Sequence, residues 1–236
     1  MPMTQTTNTM AGAAASRQRS ILRAALIAGI ALLHVLCHHF ANAWNAARPA
    51  SDLHDFSTAV DQWIPYLPWT WVVYYFGDLY ILLWGSYVVW NIPQRKFPRA
   101  LLVFAAMIVA GALVQIAIPG RSPWPENGSA VQHWFHERVT FDPYVCLPSM
   151  HVALAVLPSC MTFDVFPARP VRILITVLAA LITASTLTLK EHYALDAVAG
   201  LILALSCYAF WRWPGRRMNN RISTGALHDD RQTHAL

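Results

Sequence analysis

The chain has 236 residues, of which 56% are hydrophobic and only 12% charged, with a net charge of +5 and ten tryptophans. A soluble domain carries roughly 25% charged residues, so this composition excludes one and predicts an all-α, polytopic membrane bundle. The basic excess does not point to nucleic acid, because Lys and Arg are scattered between apolar runs and form no stripe.

Residues 1–20 are small and polar and read as a disordered cytoplasmic tail. The apolar run over about 21–40 follows Arg17, Arg19 and Arg23. It lacks a small-residue cleavage site and further spans follow it, so it reads as an uncleaved anchor. His34, His38 and His39 lie near its far end; with no Cys or carboxylate close by to complete a ligand set, they read as interfacial or packing residues and not as a metal pair. The stretch 42–68 is polar and acidic and ends in Trp63-Ile64-Pro65-Tyr66-Leu67-Pro68, followed by Trp69 and Trp71. Aromatic rings among prolines mark a membrane–water interface. A second span, about 69–90, carries Asp78 near its middle. This acid is expected to face the bundle interior against a Tyr or Arg partner, with a polar pathway as the alternative.

Arg95, Lys96 and Arg99 mark a short turn before a third span at about 100–118. The polar interval 119–148 leads to a fourth at about 150–166, and Arg169 and Arg172 precede a fifth at about 171–189. A sixth covers about 193–213, and 214–236 reads as a second disordered tail. One six-helix domain, 21–213, is therefore expected, with no room for another sizeable domain. The four cysteines show no CxxC spacing and indicate neither a disulfide framework nor zinc.

Six spans place thirteen of the seventeen Lys and Arg residues on one side, leaving Arg48, Arg121, Arg138 and Lys190 on the other. By the positive-inside rule both termini are cytoplasmic. The interval 119–148, His151 and His192 then share the opposite face, which in a bacterial inner membrane is the periplasmic one. His192 and Asp196 are spaced i, i+4, which on a helix stacks an imidazole over a carboxylate. Ionisable groups beside membrane spans are functional candidates by default. Two cations, Arg121 and Lys190, beside two histidines suit a phosphate ester. Neutral His192, oriented by Asp196, can attack phosphorus while His151 protonates the departing oxygen. Ser149 and the amides at the start of the fourth helix add donors for the phosphoryl oxygens. The scheme needs no metal and no cofactor. Trp124, His133, His136 and Glu137 in the outer interval are candidates for head-group contact, and Tyr193 reads as an interface anchor.

Pro148-Ser149-Met150-His151, followed by Ser185-Thr186-Leu187-Thr188-Leu189-Lys190-Glu191-His192-Tyr193-Ala194-Leu195-Asp196-Ala197-Val198-Ala199-Gly200, resembles the type-2 phosphatidic acid phosphatase superfamily. More narrowly it is similar to the branch of inositol phosphorylceramide synthase and the sphingomyelin synthases, a likeness that extends back to 61–74. The resemblance implies a six-helix fold and a phosphohistidine on His192. It also implies a leaving-group acid at His151, an orienting acid at Asp196 and no metal cofactor. In place of the superfamily's first motif stands Pro119-Gly120-Arg121-Ser122-Pro123, and Thr186 stands where many phosphatases have arginine. Lys190 is then expected to supply the missing charge. The expected activity is a lipid phosphatase or phosphotransferase acting on a lipid phosphate or phospholipid. An inositol phosphotransferase and a non-catalytic transporter are the alternatives.

Overall fold

The computed structural model describes residues 3–123, 130, 133, 134 and 144–213. It is helical, with no strand among the described residues. Helix α1 runs Met3–Ala46. The short α2, Ala59–Trp63, lies in the loop that follows. Then come α3 (Trp71–Asn91), α4 (Phe97–Ala117), α5 (Met150–Val165), α6 (Arg169–Thr188) and α7 (Ala194–Arg212). The helical backbone of α1 extends through residues whose composition reads as a tail, while 214–236 lie outside the described residues.

Local chemistry explains the boundaries. Prolines near the starts of α4 and α6 occupy positions where a missing N–H costs nothing. Thr58 opens α2 through a capping box, its N–H and hydroxyl both donating to the Asp61 carboxylate at 2.8 and 2.7 Å.

Among the described residues, five helices are long and apolar enough to cross a membrane. Of the six expected spans, the one at α5 falls short of that length. Its sixteen residues rise only about 24 Å, against a hydrocarbon core of about 30 Å. What α5 lacks in length it has in burial: Val152, Ala153, Leu154, Ala155, Leu157 and Met161 are all enclosed. Around it stand α3, α4, α6 and α7, with Val88, Val103, Phe104, Met107, Ile108 and Ala204 filling the space between. Hydroxyls tie α3 to α5, through Tyr80 to Ser159 at 2.9 Å and the Trp84 indole to Thr162 at 3.1 Å. In lipid, where apolar burial gives no preference for helix over tail, such bonds help hold helices together.

The two ends differ. At one, Arg23 donates to the carbonyls of Trp90 and Ile92, Arg172 to those of Phe163 and Phe166, and Arg212 pairs with Asp164. At the other, the Asn45 amide donates to the carbonyls of Gln115 and Tyr144, and the Gln115 amide to those of Val145 and Pro148. These two buried amides fix the segment entering α5, and so fix where His151 begins its helix.

Candidate active site

His151 occupies the first turn of α5, and His192 lies in the turn between α6 and α7. The rings approach to 6.0 Å between centroids, inclined at 61°. Reacting atoms in a near-attack arrangement lie about 3–3.5 Å apart, so one phosphorus placed between the rings is within reach of both.

His192 is not helical, contrary to the i, i+4 picture. It precedes Tyr193, the N-cap of α7, while Asp196 sits in the first turn of that helix. The spacing still works, because the chain bends back over the helix start. Thr186, fully buried, accepts the N–H groups of both Glu191 and His192 through its carbonyl. Nδ1 of His192 stands 3.4 Å from Oδ2 of Asp196. That oxygen also accepts the Tyr193 N–H at 2.9 Å. The imidazole approach lacks hydrogen-bond alignment, and His192 Nδ1 and Asp196 Oδ1 are both buried without a partner among the described residues. Orphaned buried polar atoms are uncommon and recur at functional sites.

His151 has its own carboxylate. Its Nε2 lies 2.9 Å from Oδ1 of Asp78, and its Nδ1 lies 3.4 Å from the hydroxyl of Tyr74. The Tyr74 ring packs on the imidazole at 4.5 Å between centroids. Asp78 was expected to meet a Tyr or an Arg; its partner is the histidine. Asp78 precedes His151 by 73 residues, and no local spacing relates them.

Both histidines line one cavity of about 390 Å³. Near them its wall carries Ser122, Cys146, Glu191, Tyr74 and Asp78. His34, His38 and His39 of α1 line it too, so the cluster read as packing faces the same space. Beyond them the wall turns apolar, with Ile27, Ile81, Leu82, Val89, Phe104 and Leu154.

The three expected phosphate contacts are not among the described residues lining this cavity. Arg121 is exposed, its N–H directed to the His54 carbonyl, and its neighbour Ser122 reaches the wall instead, donating to the Glu191 carbonyl at 2.7 Å. Ser149 is buried as the N-cap of α5, its hydroxyl facing the Val152 N–H and its own N–H donating to the Asp196 carbonyl at 3.0 Å. Lys190 adopts φ 60°, a left-handed conformation that costs a non-glycine residue about 1–2 kcal/mol. Its ammonium donates to the carbonyls of Asp61 and Ile64 at 2.8 and 2.7 Å. Trp124, His136, Glu137 and Arg138 lie outside the described residues.

Gly200 sets how closely α7 meets the start of α5. A Cβ there would stand 2.4 Å from the Ser149 carbonyl oxygen, so only glycine lets the helices approach this far. The approach permits the Ser149–Asp196 backbone bond and thereby registers one histidine against the other. Among the described residues no three His, Cys, Asp or Glu side chains are grouped to hold a metal ion.

Comparison with curated proteins and with solved structures found no match. The sequence profile of the PAP2 superfamily matches residues 31–210, a span that takes in both histidines, both carboxylates and most of the cavity wall. Covering well over half the sequence, this match shows that the chain belongs to the PAP2 superfamily.

Proposed function

We propose that the protein is an integral-membrane phosphoesterase that cleaves a phosphoryl-linked lipid through a phosphohistidine on His192. The observation that carries this reading is the 6.0 Å meeting of two imidazoles, each backed by its own carboxylate, in a cavity whose wall beyond the histidines is largely apolar. With Asp196 facing Nδ1, Nε2 of His192 is the nucleophile. It attacks phosphorus as the bond to the leaving oxygen breaks, and that oxygen takes the proton from Nδ1 of the His151 imidazolium. Asp78, held at Nε2 though its side chain is half exposed, stabilises the imidazolium before transfer, as an acid orients a catalytic histidine in hydrolytic triads. The substrate oxygen takes the place of Tyr74, the longer and weaker contact. In the second step neutral His151 removes a proton from the acceptor, the acceptor oxygen bonds phosphorus, and the P–N bond breaks to restore His192. The N-termini of α5 and α7 both begin at this site, and their dipoles favour an anion there.

The six-crossing arrangement, with α5 as the short crossing, puts both termini with the arginine-rich end in the cytoplasm and the histidines at the outer face of a bacterial inner membrane. Water as acceptor makes the protein a phosphatase. A second reading, transfer to an alcohol such as inositol, is favoured by one observation: no Lys or Arg is among the described residues lining the cavity. A singly charged phosphodiester needs less counter-charge than a doubly charged monoester. A transporter would instead spread essential charges through the bilayer depth.

Purified protein incubated with lipid phosphates and with phospholipids, with and without inositol, separates these readings. Free phosphate indicates the phosphatase, a new phospholipid the transferase. His192→Ala is expected to lower either activity by about 10³-fold or more; full activity in that variant would overturn the mechanism.

A further inference from the structure

The turn that carries His192 is gripped from outside its own helices. Lys190, two residues before the histidine, reaches the carbonyls of Asp61 and Ile64. Two residues after it, the Ala194 N–H donates to Oδ1 of Asp61 at 2.7 Å. Between them the Tyr193 hydroxyl lies near the Asp55 carboxylate. Further back, the Leu67 N–H donates to the Thr188 carbonyl at 2.8 Å, and the hydroxyls of Thr188 and Thr70 meet at 3.1 Å. Every one of these bonds joins the loop between α1 and α3 to the α6–α7 turn. None faces the cavity that contains His192.

Asp61 is central to this arrangement. One carboxylate oxygen holds Thr58 at the start of α2, the other caps α7, and its backbone carbonyl takes the Lys190 ammonium. The same loop presents Trp63 and Trp69, 81% and 63% exposed, where an interfacial ring prefers the head-group layer. A lysine strained into φ 60° and spent on two carbonyls is fixed in place, whereas a residue that collects an arriving phosphate needs a free and mobile ammonium.

We infer that Asp61 and Lys190 are positioning residues, a brace from the interfacial loop that holds the backbone on both sides of His192 and sets the imidazole against His151. This rests on the reading of His192 as nucleophile. The brace acts on the placement of the reacting nitrogen and not on substrate affinity, so its loss lowers turnover and leaves KM nearly unchanged.

The test compares Lys190→Met, Lys190→Arg, Asp61→Ala, the Asp61→Ala/Lys190→Met double variant and His192→Ala in the full-length protein, with Tm in detergent, kcat and KM measured on the best lipid phosphate of the panel. Lys190→Met and Asp61→Ala are each expected to lower kcat by about 10- to 100-fold with KM within about threefold. Lys190→Arg, which can donate to the same carbonyls, recovers most of the loss. The double variant is little worse than either single one, because both break the same brace. A raised KM with unchanged kcat in Lys190→Met would show that the lysine binds the anion and would overturn the brace, as would fully additive losses. Should Lys190→Met not fold, Lys190→Arg and Asp61→Ala decide, since normal kcat in Asp61→Ala contradicts the proposal. An inactive His192→Ala beside unimpaired brace variants sinks the brace alone, whereas an active His192→Ala sinks the nucleophile reading.

Discussion

His151 and His192 each turn one ring nitrogen to a carboxylate, and in the proposed mechanism the other does the chemistry, a division of labour that determines what their neighbours are worth. Asp78→Asn keeps the shape of the pair but removes the charge that stabilises the His151 imidazolium. Its kcat is expected to fall by about 10²- to 10⁴-fold with KM nearly unchanged, the range of a lost general acid; an unaltered kcat would return Asp78 to a packing role. Asp61 gives a pH prediction. Partial burial pushes its carboxyl upward, but bonds from Thr58 and Ala194 and the nearby Lys190 outweigh this and hold it below the ordinary carboxylate value. A depressed folded value stabilises the protein above the unfolded carboxylate value, and that contribution is lost as pH falls through the folded one. Tm in detergent should therefore decline below about pH 5, and Asp61→Asn should flatten part of the decline. At this scale the sequence was legible where partners are close in the chain, as with His192 and Asp196. It was opaque where they are not: Lys190 and Asp61 are 129 residues apart, and nothing in local spacing says that this lysine turns away from the cavity.

Between residues and the whole stand the helices, whose apolar runs and basic turns revealed the order of the long apolar ones. Ends proved harder. His192 falls in a turn because Thr186 accepts two successive N–H groups there and closes α6, a decision made by backbone geometry and not by hydrophobic period. The short α5 is tolerated because its neighbours enclose it almost completely, so it need not match the bilayer along its own length. Its packing against α7 depends on Gly200. Gly200→Ala places a methyl group against the Ser149 carbonyl, which belongs to rigid backbone. Overpacking of this kind costs about 1–3 kcal/mol, so a lower Tm is expected together with a loss of kcat as the two histidines move apart. Wild-type Tm and turnover in that variant would show that the close approach is not needed.

Across the whole molecule, the cavity joins a polar end at the two histidines to an apolar arm between α1, α3, α4 and α5. A lipid whose phosphate sits between the rings would lay an aliphatic chain along that arm. Gly85 lines it, and a Cβ there meets open space, so a bulky side chain at this position enters the cavity without disturbing the backbone. Gly85→Phe is expected to spare turnover of short-chain substrates and to depress that of long-chain ones by about tenfold or more through KM; equal effects on both would place the chain elsewhere. The cavity could not be foreseen from sequence, because it arises where α1 stands against α3 and α4, and helix pairing is not written in hydropathy. That is also why nothing in the spacing of His34, His38 and His39, read as interfacial or packing residues, tied them to this cavity.

The most direct measurement of the central claim is to trap the covalent intermediate. Protein quenched during turnover of a lipid carrying labelled phosphate should yield label that is stable to base and labile to acid, as a phosphoramidate is, on the peptide containing His192. His192→Ala should carry none, and His151→Ala should accumulate little because the leaving oxygen lacks its proton donor. Label on another residue, or vigorous turnover in His192→Ala without any labelled histidine, would contradict the account.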